Sequence, residues 1–497
     1  MTTELGPAAV GAVLFLLLVG WCFTHRRLDR SLAALGLYLG LLDGYLKLRT
    51  GSPWITLGRD VLVAALAGGA LLRALTSKKP LPLPPLGGLV LAFSAIVLIE
   101  IFNPMRPNLI GGLGGLAGVR QHLGFVPLFF LGYAVMRTDG HLRKFAMILV
   151  VCAAIGGVVS YIQSTLTPEQ LAQWGPGYRQ RVLGTGLFSG AGRVAFHADG
   201  SIAVRPFGLG SDMGAGALAA ALAFPALLGM MIWAKGGLRA ATAPLAIGLA
   251  LAVATSGSRT GLIIALVSVA AFALLAAASR NALRMVVGLM VGAAFVYGVF
   301  QQLGPNTSTA KRAQTIAPGK LVTTYENERG SGAAKIGEYV LRYPLGLGVG
   351  SVGPARAVFG LHDQQERLNA ETLWNFLILE VGLAGLAVFL ALMLSLLWLS
   401  ITRIRRIADP MLRLNLAAIA APMFGLFAAS FSGAATLGVP AGPYLWFSAG
   451  VLSYWLVRAR SDPRAWSGAV DTTTATSPTS SSRVPPSAEP FPEAAPA

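Results

Sequence analysis

The sequence predicts an all-α bundle of about thirteen transmembrane spans, with the N-terminus outside and the C-terminus in the cytoplasm. Three observations carry that expectation. Hydrophobic residues make up 54% of the 497 and charged residues 12%. The charged share is about half that of an ordinary soluble domain, and a chain this apolar cannot cover itself with polar surface, so lipid must solvate much of it. Long apolar runs recur along the chain, and the Lys and Arg behind the net charge of +18 sit in short clusters between them.

The runs fall at 6–24, 31–48, 61–76, 88–103, 121–137, 144–163, 213–234, 240–255, 260–279, 284–301, 372–400, 413–432 and 441–457. Alternate connectors are short and basic. The first is HRRLDR, then Arg73 with Lys78 and Lys79, then Arg137, Arg143 and Lys144. Lys235 with Arg239, Arg280 with Arg284, ITRIRR with Arg413, and RARSDPR complete the series. An outside N-terminus puts all of these on the cytoplasmic face, as the positive-inside rule requires. The N-terminal segment lacks a basic leader, its charges following the first apolar run, so that run is expected to stay as a helix.

The same parity places two long segments, 164–212 and 302–371, on the extracytoplasmic side. Long loops between spans often carry function, the bland alternative being a plain connector. The stretch AAKIGEYVLRY within the second has helix-forming character and suits the membrane surface. The membrane domain thus covers 1–463. From 464 to 497 the chain is rich in Pro, Ser, Thr and Ala, which predicts a disordered cytoplasmic tail.

Several function classes are excluded or disfavoured. No basic segment is interleaved with aromatics, so nucleic acid is not a predicted partner. Cys22 and Cys152 both lie in apolar runs and read as small core residues. No HExxH or GxxxxGK[ST] motif occurs, so neither a metal nor a nucleotide cofactor is predicted.

Three residues stand out on the loop side. Arg259 lies in ATSGSRTGLI, a short turn between two spans, flanked by Ser256, Gly257 and Ser258. A guanidinium at headgroup level suits a phosphate, because its planar fork donates paired hydrogen bonds and keeps its charge. A snorkelling anchor is the structural alternative. Arg205 lies in SIAVRPFGLGSDMGAG, a turn-prone segment before a span, where an ordinary loop charge is the alternative. Glu371 precedes a long apolar run, where it either complements the helix dipole or, if buried, takes a proton from a hydroxyl. Arg120 in GGLAGVRQHLGF is a further candidate for an anionic site.

Other charges read more plainly. Asp43 and Lys47 are spaced to neutralise each other on one helix face. Glu100 and Glu380 are carboxylates within apolar runs, functional where a water-filled cavity reaches them. Tyr178, Arg179 and Arg181 read as solvated residues of the first long loop.

The segments VRPFGLGSDMGAGALAAALAF, TSGSRTGLIIALV, RYPLGLGVGSVGPA and NAETLWNFLILEVGLAGLAVFLALML, in that order, resemble the O-antigen ligase and polymerase family. GLAGVRQHLGFVPLFFLGY is similar to an earlier segment of such proteins, and the resemblance covers roughly 90–400, including the glycine pair Gly382 and Gly385. It implies a bacterial cytoplasmic (inner) membrane enzyme that moves a glycan from undecaprenyl diphosphate to an acceptor hydroxyl on a glycan or lipid, without metal. In that case Arg205 and Arg259, with Ser258 and Arg120 beside them, bind the diphosphate, and Glu371 stands where many members carry histidine. Ligase and polymerase share these motifs. The alternative from another class is a transporter or flippase of an envelope lipid or glycan, for which paired broken helices near the midplane would be expected.

Overall fold

The computed structural model describes residues 5–77, 83–105, 113–184, 195–196, 202–276, 331–353, 368 and 370–458. The sequence span 284–301, much of the second long loop and the tail 464–497 lie outside the described residues.

The described residues of the other runs are largely helical. The described helices are α1 (Leu5–Thr24), α2 (Leu28–Leu37), α3 (Asp43–Thr50), α4 (Pro53–Thr76), α5 (Gly87–Ile99), α6 (Leu113–Leu123), α7 (Pro127–Val135) and α8 (Asp139–Ser164). They continue with α9 (Pro168–Ala172), α10 (Pro176–Leu183), α11 (Ala215–Trp233), α12 (Gly236–Ser256) and α13 (Arg259–Ala276). The last four are α14 (Ser331–Arg342), α15 (Leu373–Arg403), α16 (Pro410–Ala429) and α17 (Ala441–Ser453). Apart from a two-residue ladder, in which Ala195 faces Ala203 and Phe196 faces Ile202, the described architecture is helical.

Among the described residues, seven helical stretches are long and apolar enough to cross a bilayer. Leu28–Thr50 is one of them, carried through a π-turn at Tyr38–Leu42. Leu16, Leu17, Ile247, Leu274 and Trp398 face outward and are exposed, an apolar exterior that a monomer in water avoids. The chain is therefore a multi-pass membrane protein with lipid around its helices.

The run 121–137 departs from a single span. α6 ends at Leu123 and α7 begins at Pro127, joined by tightened turns in which Val126 N–H reaches Leu123 C=O (3.1 Å) and Leu128 N–H reaches Phe125 C=O (2.9 Å). Pro127 has no N–H to continue an α-helical ladder and stands instead as the first residue of α7.

Long-range contacts fix the two ends of the bundle. At one end, the basic end, Arg73 donates to Phe23 C=O (2.6 Å), His141 lies 4.0 Å from Asp29, and Asn415 donates to Asp139 (2.5 Å). Arg405 donates to Leu274 C=O there (2.9 Å), and Arg403 pairs with Leu456 C=O. The C-termini of α13, α15 and α17 and the N-termini of α8 and α16 thus lie together. The opposite, loop end holds the C-termini of α3, α8, α12 and α16 and the N-termini of α11, α13 and α15.

Glycines let these helices touch backbone to backbone. A Cβ on Gly157 of α8 would lie 1.8 Å from Gly248 C=O of α12, and one on Gly425 of α16 would lie 2.7 Å from Ile264 C=O of α13. Close approach of this kind supplies the dispersion that holds helices together in lipid. Gly157→Ala is expected to force α8 and α12 apart at a cost of about 1–3 kcal/mol. Thermal melting in detergent checks it, and an unchanged melting temperature would mean the helices are not in contact here.

Candidate functional site

The loop end is organised around Gln163, a fully buried side chain one residue from the end of α8. Its Oε1 accepts the backbone N–H of Phe207 (2.8 Å) and of Gly208 (2.9 Å), and its Nε2 donates to Gly208 C=O (3.1 Å). Gly214 N–H reaches Pro206 C=O (2.9 Å), and Gly216 N–H reaches Phe207 C=O (3.2 Å). The segment that carries Arg205 is therefore a closed loop held on α8, running straight into α11.

Arg259 is brought to this loop by the next hairpin. α12 ends at Ser256, Gly257 turns the chain with φ 56, and α13 starts at Arg259. Ser258 Oγ accepts Gly261 N–H (3.2 Å), so this hydroxyl caps α13. The Cβ direction of Gly214 (φ 81) points at Ser258, 3.1 Å from its Cβ, and Gly261 faces Ala217 of α11 at 3.0 Å. The Arg205 segment and the SGSRTG turn thus pack against one another. A cation in the first turn of a helix opposes the helix dipole. The N-termini of α11 and α13 meet at this contact and favour an anion beside them.

A chain of charges flanks the same loop. Asp43 Oδ2 lies 3.6 Å from Arg59, Asp60 lies 3.4 Å from Arg59 Nε, and Asp60 also pairs with Arg120. Asp43 is buried; its ion pair is with Arg59 of α4, and Lys47, spaced one turn away, adds the attraction expected from the sequence. Arg181 of α10 pairs with Asp212 at 3.0 Å, and Lys47 lies within electrostatic reach of Asp212. α3 abuts the Arg205 loop directly, since a Cβ on Gly44 would meet Leu209 C=O at 2.3 Å. Arg120 is tied to α4, and through Arg59 to α3, by this chain.

Tyr178 is not a solvated loop residue. It is fully buried in a cluster with Leu48, Leu171, Val182 and Phe207. Burial pushes its hydroxyl above the ordinary tyrosine range, so it remains a neutral wedge between α10 and the Arg205 loop.

α15 reaches the loop end by breaking. Gly382 has φ 64 and ψ −172, a conformation open almost only to glycine. The bond that would join Leu383 N–H to Leu379 C=O is replaced on both sides. Leu383 N–H donates to Pro344 C=O (2.8 Å), and Leu347 N–H donates to Leu379 C=O (2.6 Å). From Leu383 to Arg403 the helix is about 30 Å long, the length of a bilayer core. The part before Gly382 turns aside, so that Leu373 N–H meets Ser430 C=O at the end of α16 (3.1 Å). This places Glu371 at the loop end together with Arg205 and Arg259. Glu371 is exposed, so the burial asked of a proton acceptor is not present. Residues 354–367 and 369, next to it in sequence, lie outside the described residues.

Glu380 sits beside the break. It is fully buried, 2.8 Å from His122 Nε2 of α6, and its Oε1 accepts Val352 N–H (3.2 Å). Phe93 and Phe376 pack on the imidazole. Glu100 accepts from Asn103 (2.6 Å), which also donates to Leu345 C=O (3.1 Å). These carboxylates brace the glycine-rich segment 343–353 against α5, α6 and α15. Gly382→Ala is expected to cost about 1–3 kcal/mol from backbone strain alone, and its Cβ would lie 2.6 Å from Leu345 C. A melting curve matching the native one would show that the break does not need glycine.

Gln163, Arg59, Asp60, Asp212 and His122 escaped sequence reasoning, and Arg181 read as a solvated residue, because their partners lie on other elements. The one available signal was charge inside or beside an apolar run, as at Arg59–Asp60 ahead of 61–76. Among the described residues no group of three His, Cys, Asp or Glu side chains is placed to hold a metal. Comparison with protein-family models and with curated proteins gives no match to this chain.

Proposed function

We propose that the chain transfers a glycan from undecaprenyl diphosphate to an acceptor hydroxyl, at the outer face of a bacterial cytoplasmic membrane. The observation that carries this reading is the packing of the Arg205 loop on the Arg259 turn, where two helix N-termini and two guanidinium groups come to one end of the bundle. Taking the basic end as cytoplasmic puts this site at the outer headgroup level. About thirteen spans, with the N-terminus outside, fit that orientation. A lipid-borne diphosphate lies at the same depth.

In the reaction the bond from the sugar C1 to the diphosphate breaks, and a bond from C1 to the acceptor oxygen forms. The hydroxyl proton passes to water or a carboxylate at the loop end, where exposed Glu371 has the position but not the burial of a strong base, and undecaprenyl diphosphate leaves. Cations fixed beside the leaving group stabilise the charge that grows on it. Arg205 and Arg259 fill that role, and Arg120, paired with Asp60, is a further candidate. The resemblance of the segments around Arg205, Arg259 and Glu371 to the O-antigen ligase and polymerase family supports the same assignment.

The test is reconstitution in vesicles with undecaprenyl-diphosphate oligosaccharide and a candidate acceptor. New glycosidic product is expected. Movement of carrier-linked glycan across the bilayer, with no product, would make the protein a transporter instead.

A further inference from the structure

An apolar cavity of about 500 Å³ runs between α2, α7, α8, α11 and α17. Along α8 its lining extends from His141 to Gly156, about 22 Å of helix. It therefore passes from the basic end nearly to the Arg205 loop. The two mouths differ in chemistry. At the basic end Arg27, Arg30 and Lys144 stand around it, with Asp29 facing His141 at 4.0 Å. The loop-end lining is Leu209, Gly210, Val439 and Pro440, without a charged side chain.

We infer that this cavity holds one chain of an anionic glycerophospholipid, whose phosphate is bound by Arg27, Arg30 and Lys144. All three cations are exposed at the mouth, where a headgroup can reach them. Basic residues between membrane helices attract anionic headgroups in this way. About 500 Å³ of apolar space over this length suits a single chain lengthwise, and the second chain stays in the surrounding bilayer. A polyprenyl carrier fits less well. Its diphosphate belongs beside Arg205 and Arg259, and the cavity offers no cation at that end. The exclusion of the carrier rests on the transfer reading; the cavity and the cations at its mouth do not.

Two variants address the two parts of the site. Arg27→Gln, Arg30→Gln and Lys144→Gln together remove the headgroup contacts. Gly36→Leu fills the bore; a Cβ there meets only Ile148 Cγ2 at 3.6 Å, so no backbone is struck. The full chain in neutral detergent is mixed with equimolar phosphatidylglycerol, phosphatidylcholine and undecaprenyl phosphate, and bound lipid is counted by native mass spectrometry. The native protein is expected to retain one phosphatidylglycerol, weakened about fivefold for each charge removed and lost in Gly36→Leu. Selectivity on the native protein decides the matter even if a variant fails to fold. Equal retention of phosphatidylcholine, preference for undecaprenyl phosphate, or retention unchanged in both variants would overturn the inference.

Discussion

Arg259→Ala is expected to lower the rate of glycan transfer by about 10²–10³-fold, the loss typical of one donor aimed at developing negative charge. The reasoning starts from position. Arg259 opens α13, where the helix dipole disfavours a cation. An anion at the same place would be favoured by the guanidinium and by the helix together. The loss should fall on kcat more than on KM, because the leaving diphosphate carries more charge in the transition state than in the bound substrate. Arg259→Lys should recover only part of the rate, since an ammonium cannot hold two phosphate oxygens in a planar fork. A merely anchoring arginine behaves differently: lysine snorkels equally well, and both variants would then retain native kinetics. Transfer rates for the three proteins at saturating donor separate these outcomes.

Gln163→Leu is expected to destabilise the protein by about 3–6 kcal/mol. Three backbone groups, the N–H of Phe207 and both the N–H and C=O of Gly208, depend on this side chain. A buried polar group left without its partner costs about 1–3 kcal/mol, and leucine fills similar space without replacing any of the bonds. The same change frees the loop that carries Arg205, so transfer should fall in the protein that remains folded. Melting in detergent and the rate per folded molecule measure the two effects separately. A stable protein with native transfer would show that the loop is held by other contacts.

The sequence made the bundle legible because burial in lipid imposes a simple rule on it. Runs such as 144–163, 260–279 and 413–432 had to be helices, and their basic connectors had to alternate. Arg73, Asp29 and Arg405 meet neighbours at one end of the structure, in line with that alternation. The span at 31–48 survives as helix through its π-turn. Pairings across the bundle were not legible. Spacing on one helix suggested that Asp43 and Lys47 offset each other, but not that Asp43 also pairs with Arg59 from the next helix. Gln163 looked like any polar residue at a helix end, because its three partners lie some 45 residues away. Gly382 entered the sequence reading only as half of a glycine pair, with no break expected there. Only the returning segment at Pro344–Leu347 explains why the chain turns there.

The candidate site shows the same division. Its residue types were readable, since arginine beside glycine and serine at a membrane boundary suits phosphate whatever the fold. Their neighbourhood was not. Gly214 against Ser258 joins the two arginine segments, and no periodicity in a single sequence encodes that contact. Ser258 is occupied in capping α13, and Arg120 already meets Asp60.

Two guanidinium groups gripping a single diphosphate must be energetically coupled, which a double-mutant cycle on carrier-lipid binding measures most directly. Undecaprenyl-diphosphate affinity would be determined for the native protein, Arg205→Ala, Arg259→Ala and the double variant. A shared ligand predicts an interaction energy of about 0.5–3 kcal/mol between the two changes. Strictly additive losses, or no loss in either single variant, would mean that the two side chains serve separate purposes.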